Sequence, residues 1–273
     1  MKSKDIFPAI FSRHAAAYQQ RLDEIMARGE ARGRQRGLEL LAAKPGMRVL
    51  DIACGPGTLS RPIAAQVAPD GEVFGIDLAP GMIELARASG IPNATFEVMD
   101  MERLTWPDAS FDAGACGHGL QFVPDLVMAL REAHRVLRPR ARFAASVPLN
   151  GGTRRPWIVL DEVADRWLPP APVAADQQAT RATIGDPGAF RDAALQAGFA
   201  HAEVEAIDEK VVWQSAEQLV ARCMSWWDLA SRVEALQPER REAFMEDAIT
   251  TLRREHPGPI ETHGRNHVLF ALA

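Results

Sequence analysis

The chain has 273 residues, 36 Asp and Glu against 31 Lys and Arg for a formal charge of −5, and 47% hydrophobic side chains. This fits one large globular domain or a core domain with a substantial insertion, and the acidic balance argues against a general nucleic-acid binder. Three scattered cysteines, Cys54, Cys116 and Cys223, lack the spacing of a zinc site or disulfide framework, and no apolar run reaches the ~18 residues of a membrane span. With no signal-peptide pattern in MKSKDIFPAIFSRH, a cytoplasmic protein without membrane insertion is expected.

The segment before residue 44 reads as helical. Within it Arg28, Arg32 and Arg36 recur every four residues with Arg34 between them, either a solvated helix face or a means of holding an anionic substrate. After the Pro45-Gly46 turn the period alternates. Strands are predicted at 47–52, 72–77, 94–99, 111–116 and 142–147, and helices at 58–67, 80–89 and 124–137. Pro62 suits the first turn of its helix, and Gly90 is placed as a C-terminal stop. Residues 150–185, with Pro156, Pro169, Pro170 and Pro172, read as an irregular linker around one short helix at 157–167. A helix at 186–197, a strand at 202–207, helices at 216–230 and 238–254 and a last strand at 267–271 complete the pattern. Strands alternating with helices imply a parallel sheet covered on both faces, with ligands beyond the strands' carboxyl ends.

The first of those ends, Val49 to Ser60, reads V-L-D-I-A-C-G-P-G-T-L-S. A dinucleotide fingerprint wants a third glycine where Ser60 stands, and Pro56 has no N–H to offer a pyrophosphate. Asp51, just inside the strand end, is suited to accept from an ammonium group, which S-adenosylmethionine has and nicotinamide dinucleotides lack. Asp77, ending the second strand, can take both ribose hydroxyls of either cofactor. Asp100 after the third can accept from an adenine amino group while the Met101 N–H meets a ring nitrogen. The spaced set Asp51, Gly55, Gly57, Asp77 and Asp100 therefore points to S-adenosylmethionine.

V-L-D-I-A-C-G-P-G-T, F-G-I-D-L-A-P-G-M, F-E-V-M-D-M-E-R-L-T-W-P-D-A-S-F-D and L-R-E-A-H-R-V-L-R-P together resemble a class I S-adenosylmethionine-dependent methyltransferase, of the subgroup similar to ubiquinone and menaquinone biosynthesis methyltransferases. The resemblance is specific over about residues 45–147 and weaker over 186–208. It implies an α/β, Rossmann-like fold with a seven-stranded, mostly parallel sheet whose last strand, 267–271, is antiparallel, plus N-terminal helices and a helical cap insertion. The expected divisions are a lid at 1–44, a cofactor-binding core at 45–150, linker and cap at 151–185, a return to the sheet at 186–210, a helical cap and substrate region at 211–258 and the closing strand at 259–273. It implies a cofactor site of Tyr18, Asp51, Ala53, Gly55, Gly57, Asp77, Leu78, Met82, Asp100, Met101, Gly117, His118 and Gln121. F-S-R-H-A-A-A-Y is similar to the family's lid segment, so Tyr18 is expected at the methionine carboxylate. Arg140-Ala141 replaces a glycine pair usual in the family, and a turn free of positive φ is expected there.

Methyl transfer needs mainly alignment, and a base only for a hydroxyl, amine or acidic carbon. His118, between two glycines past the fourth strand, is the best-placed base or else a contact to the cofactor's methionine arm; His14, beside Tyr18, is a second candidate. His256, His263 and His267 lack the spacing of a metal site, and no metal is expected. Trp157, Trp167, Trp213, Trp226 and Trp227 all follow residue 150 and form either an apolar pocket, with Cys223 and Met224 on its wall, or the cap's own core. No Asp/Asn-Pro-Pro-Tyr stretch follows the fourth strand, which weakens nucleic-acid and protein-amide methylation. The expected function is methylation of a small, hydrophobic or aromatic secondary metabolite on carbon, oxygen or nitrogen, by a monomer or homodimer. The alternative is a cyclase or binding protein that holds S-adenosylmethionine without transferring methyl.

Overall fold

The structure, a computed structural model, describes residues 2–149, 155–171, 174–224 and 227–273. Pro172 and Trp226 lie outside the described residues, and so does the side chain of Trp227. The elements run α1 Ser3–Arg13, α2 Ala15–Ala27, α3 Arg32–Leu41, β1 Arg48–Ile52, α4 Ser60–Val67, β2 Glu72–Asp77, α5 Pro80–Ala88, β3 Ala94–Val98, β4 Phe111–Gly117, α6 Leu126–Val136 and β5 Leu137–Leu149. There follow α7 Arg155–Trp167, α8 Gln178–Gly185, α9 Pro187–Ala197, β6 His201–Trp213, α10 Ala216–Cys223, α11 Trp227–Glu234, α12 Pro238–Glu255 and β7 Ile260–Leu272.

The seven strands form one sheet in the order β3-β2-β1-β4-β5-β7-β6. Six are parallel, and β7 runs antiparallel between β5 and β6. The order reverses between β1 and β4, where Asp51 stands opposite Ala115, and crossovers leaving in opposite directions open a cleft at that point. One face of the sheet buries Leu50, Ile52, Phe111, Phe143 and Leu269 with α6 and α9; the other buries Val49, Val73, Ile63, Val67 and Ile83 with α3, α4 and α5. Helix starts are fixed by side-chain caps: Asp125 accepts from Met128 N–H at 2.9 Å, Asp186 from Ala189 N–H at 2.7 Å and Ser215 from Gln218 N–H at 3.2 Å.

Beyond the cleft a second core forms the cap. Val159 and Val163 of α7, Leu219 and Val220 of α10, and Phe244, Ala248 and Leu252 of α12 pack together with Trp213 and Ile260. The strands β6 and β7 extend past the sheet as a two-stranded ribbon that carries this cap, pairing from His201↔Leu272 to Trp213↔Ile260. They are much longer than the predicted 202–207 and 267–271, because charged residues along the ribbon hide its alternation. The single helix predicted at 216–230 is instead α10, ending at Cys223, and α11, starting at Trp227. The stretch read as irregular holds a second helix, α8; its sequence QATRATIG is a weak helix former held by packing on α9 and on the 3-10 turn Leu120–Phe122.

At Arg140 the expectation fails outright: its φ is +68°. The residue sits in a bulge where the β4–β5 register jumps from Phe111↔Leu137 to Ala113↔Arg142. Its side chain is exposed and its N–H donates to Ala273 O at 2.6 Å, so a hydrogen bond holds the left-handed conformation without glycine.

Candidate functional site

The ends of β1 and β2 and the loop after β3 each bring a carboxylate to the cleft. Asp51 is 0% exposed; Ser60, opening α4, donates to its Oδ2 at 2.5 Å, and Oδ1 is shielded from water without a hydrogen-bond partner among the described residues. Burial drives its pKa up to about 7, against the Ser60 hydrogen bond and with the charge of Asp77 adding to the rise. The chain turns from β1 to α4 through Ala53 and Gly55, both at φ +54°. That turn aims Gly55 N–H at Asp77 Oδ2 (3.0 Å), while Ala79 N–H donates to Oδ1 (2.9 Å). Burial raises the Asp77 pKa, opposed by these backbone donors. A Cβ at Gly55 would stand 4.0 Å from the Tyr18 ring and from Met82 Sδ, in the space between them. Asp100 accepts from Glu102 N–H at 3.0 Å through Oδ1, and from Lys4 Nζ at 2.6 Å through Oδ2. Lys4 also pairs with Glu102, which ties α1 across the β3 end.

A first cavity runs along these strand ends under α1 and α2, lined by Lys4, Phe7, Phe11, Tyr18, Ala53, Gly55, Asp77, Leu78, Met82, Asp100, Met101, Gly117 and His118 among others. A small recess adjoining it is walled by Tyr18, Arg34, Asp51, Ala53, Gly55 and Gly117. Arg34 is only 8% exposed, and its Nη2 donates to the Tyr18 hydroxyl at 3.3 Å. A second cavity, of about 910 Å³, lies between α2, α3, α7, α8 and the β6–β7 ribbon; Arg21, Gln121, Trp157, Arg181, Glu209, Trp213 and His267 line it. Phe11, Tyr18, His118 and Phe122 line both large cavities and form the partition between them.

His118 is fixed in that partition by its backbone. At φ +68° its N–H donates to Ser146 O at 2.9 Å, and its carbonyl accepts from Gln121 Nε2 at 2.9 Å. Its Nε2 is shielded and has no partner among the described residues, and neither has Oδ1 of Asn266. Burial first, then the positive charges of Arg34 and Arg21, holds the pKa well below the usual 6.5. The ring is therefore a neutral imidazole at physiological pH, with one nitrogen uncommitted.

A family model described as a methyltransferase domain matches residues 49–140. Nocamycin O-methyltransferase from Saccharothrix syringae is 31% identical over 240 residues, which cover 82% of this chain and 84% of that protein. The chain belongs to the class I methyltransferase family. A 2-phytyl-1,4-naphtoquinone methyltransferase from Synechococcus elongatus is 33% identical over 180 residues, 62% of this chain and 75% of that one. Among solved structures, a chain of the complex between the Haloferax volcanii Trm112 methyltransferase activator and a methyltransferase superposes with a TM-score of 0.57 at 20% identity, covering 95% of this chain and 97% of that one. That likeness is one of fold.

In this methyltransferase most of the residues expected at a cofactor site meet on the first cavity: Tyr18, Ala53, Gly55, Asp77, Leu78, Met82, Asp100, Met101, Gly117 and His118. Asp51 is on the adjoining recess. Gly57 is on neither; at φ +85° it makes the turn into α4, and a Cβ there would meet the Phe96 ring at 3.4 Å. Gln121 belongs to the second cavity, with its Nε2 spent on the His118 carbonyl. His14 lines neither large cavity: it sits at the α1–α2 junction with Nε2 3.3 Å from Glu234 on α11.

Trp157 and Trp213 line the second cavity, whereas Trp167 donates to Asp247 at 2.7 Å within the cap. Cys223 is buried in the cap core with Met224 packed against it, and neither lines a cavity wall. Sequence reasoning missed Lys4 and Arg181, and named Arg34 only as one of a stripe of arginines. Arg34 carried a signal: it precedes Leu38 and Leu41 by four and seven residues and so shares the buried face of α3, while Arg28 and Arg36 pair outward with Glu30 and Glu205. Among the described residues no group of three His, Cys, Asp or Glu is set to hold a metal ion, and no helix is long and apolar enough to cross a membrane.

Proposed function

We propose that this methyltransferase moves the methyl group of S-adenosylmethionine directly onto a small, apolar or aromatic acceptor. The observation that carries the reading is the pair of cavities meeting at His118, with carboxylates at the strand ends on one side and Trp157 and Trp213 on the other. The donor side suits a zwitterionic nucleoside. Asp51 Oδ1, buried and unpartnered, is matched by an ammonium group, and Arg34 with the Tyr18 hydroxyl, on the same recess, by the carboxylate of the same amino-acid moiety. Asp77 keeps acceptor capacity for ribose hydroxyls, since its two oxygens offer about four lone-pair sites and the Gly55 and Ala79 N–H groups take one on each oxygen. Asp100, held by Lys4 and Glu102, stands where an adenine amino group would be read, and Met82 and Met101 supply apolar walls for the base.

When bound, S-adenosylmethionine supplies an electrophilic methyl on a sulfonium. The protein's share of the work is then alignment and exclusion of water, effects worth roughly 7 to 11 kcal/mol when reacting groups are held in line. Phe11, Tyr18 and Phe122 close the partition around His118 with apolar surface, Phe11 meeting Tyr18 and Phe122 edge-on at 5.8 and 5.3 Å between ring centres. For an acceptor hydroxyl, the neutral His118 takes the proton on Nε2 as the oxygen becomes methylated. The test is incubation with S-adenosylmethionine and a panel of phenols, hydroquinones and indoles. S-adenosylhomocysteine formed in step with a methylated acceptor supports the reading; donor bound but never consumed across the panel contradicts it.

A further inference from the structure

The second cavity is basic inside an acidic protein. Of its lining residues, Arg21, Arg34, Arg181 and Arg265 are cationic and Glu209 is the one carboxylate, and that carboxylate already accepts from Gly33 N–H at 2.8 Å. Arg265 is turned outward to Asp208 at 2.6 Å, and Arg34 serves the recess beside Asp51. Arg21, on α2, is half-buried, with its guanidinium 5.3 Å from the centre of the Tyr18 ring, and feels the charge of Arg34. Arg181, on α8, is half-buried; its Nε is shielded from water without a hydrogen-bond partner, and it forms no ion pair among the described residues. Desolvation lowers the pKa of both, to about 10 for Arg21. A guanidinium shielded at Nε without a partner among the described residues, as in Arg181, is costly, and a planar oxyanion is the ligand its fork of donors fits best.

We infer that the acceptor carries a delocalised oxyanion such as a carboxylate, which Arg181 holds while its apolar body lies against Trp157 and its reacting atom faces His118. This deepens the methyl-transfer reading, on which it rests only in naming the ligand as the acceptor. The cationic lining also accounts for Gln121, whose buried Oε1 has no partner among the described residues and is placed to accept from a hydroxyl on the same ligand.

The test is calorimetric titration with 1-hydroxy-2-naphthoate and its neutral partner 1-hydroxy-2-naphthamide, each with and without S-adenosylhomocysteine. The acid is expected to bind about tenfold or more tightly than the amide at low salt, the usual worth of a hydrogen bond to a charged group. Arg181→Gln should erase most of that preference, Arg181→Lys should restore part of it, and neither should alter S-adenosylhomocysteine binding. Equal affinities for acid and amide, or a preference undiminished in Arg181→Gln, would overturn the inference even with donor binding intact. An acid preference that depends on Arg181 in a protein that fails to bind S-adenosylhomocysteine would uphold the inference and contradict only the donor assignment.

Discussion

Ser60 Oγ donates to Asp51 Oδ2 at 2.5 Å and leaves Oδ1 of the same carboxylate buried with no donor among the described residues. The sheet thus holds half of a hydrogen-bonding group in reserve at its topological switch point. A charge kept this way weakens the free protein and strengthens the complex.

The pH dependence follows from the sign of the shift. The folded pKa of Asp51, about 7, lies above its ordinary 3.8, so the penalty of burying the anion is full above pH 7 and fades as pH falls toward 3.8. Asp51→Asn removes the charge and is expected to raise the melting temperature by several degrees at pH 8 and hardly at all at pH 4. The same variant should lose S-adenosylmethionine binding. Wild-type affinity for S-adenosylmethionine should itself weaken as pH drops below 7, because the cationic ligand selects the ionised carboxylate. A pH-independent stability difference between variant and wild type contradicts the assignment.

His118 is expected to act as a base only where the acceptor loses a proton. His118→Asn keeps a residue that tolerates the +68° φ and removes the imidazole. With a hydroxyl acceptor, turnover should fall about 10²- to 10⁴-fold, the usual contribution of general-base catalysis, with S-adenosylhomocysteine affinity changed little. Since the ring's pKa sits below 6.5, the wild-type rate should be flat from neutral pH upward and decline only in acid. Unchanged turnover in the variant would remove His118 as a required base.

The cap has a core of its own, and the division of labour can be probed there. Leu219 is fully buried within it, and Leu219→Ala should cost about 2 to 5 kcal/mol of cap stability. Thermal unfolding is expected to show an early step or a lowered midpoint. Acceptor turnover should fall sharply while S-adenosylmethionine still binds, because none of the strand-end carboxylates belongs to the cap. Loss of donor binding to the same degree would mean that the two cores are one unit.

Arg140 offers a small, clean test of backbone strain. A left-handed φ costs a residue with a Cβ roughly 1 to 2 kcal/mol, and Arg140→Gly should recover up to about 1 kcal/mol without touching the site. Denaturant unfolding reads this as a shifted midpoint at constant slope.

Much of this molecule was legible in its sequence. The period-2 and period-3.6 alternation from residue 47 to 147 gave the parallel sheet, and an acid at or just beyond the ends of three strands pointed to the first cavity and its recess. What stayed hidden depended on contacts distant in the chain. Arg34 was legible only as one of several arginines until α3 met β4, and α8 had no propensity of its own to announce it. His14 and Gln121 sat near the cavity-lining residues in sequence, but the α1–α2 junction turns the first toward Glu234, and the turn at 120–122 places the second on the second cavity. The Arg140 turn misled because a hydrogen bond to Ala273 stabilises what glycine usually permits.

The most direct test is calorimetric titration of S-adenosylmethionine, with NADH as control, into wild-type protein and Asp77→Ala. The account predicts a one-to-one heat for S-adenosylmethionine in the wild type, its loss or a large weakening in Asp77→Ala, and no heat with NADH. Heat with NADH and none with S-adenosylmethionine would contradict it.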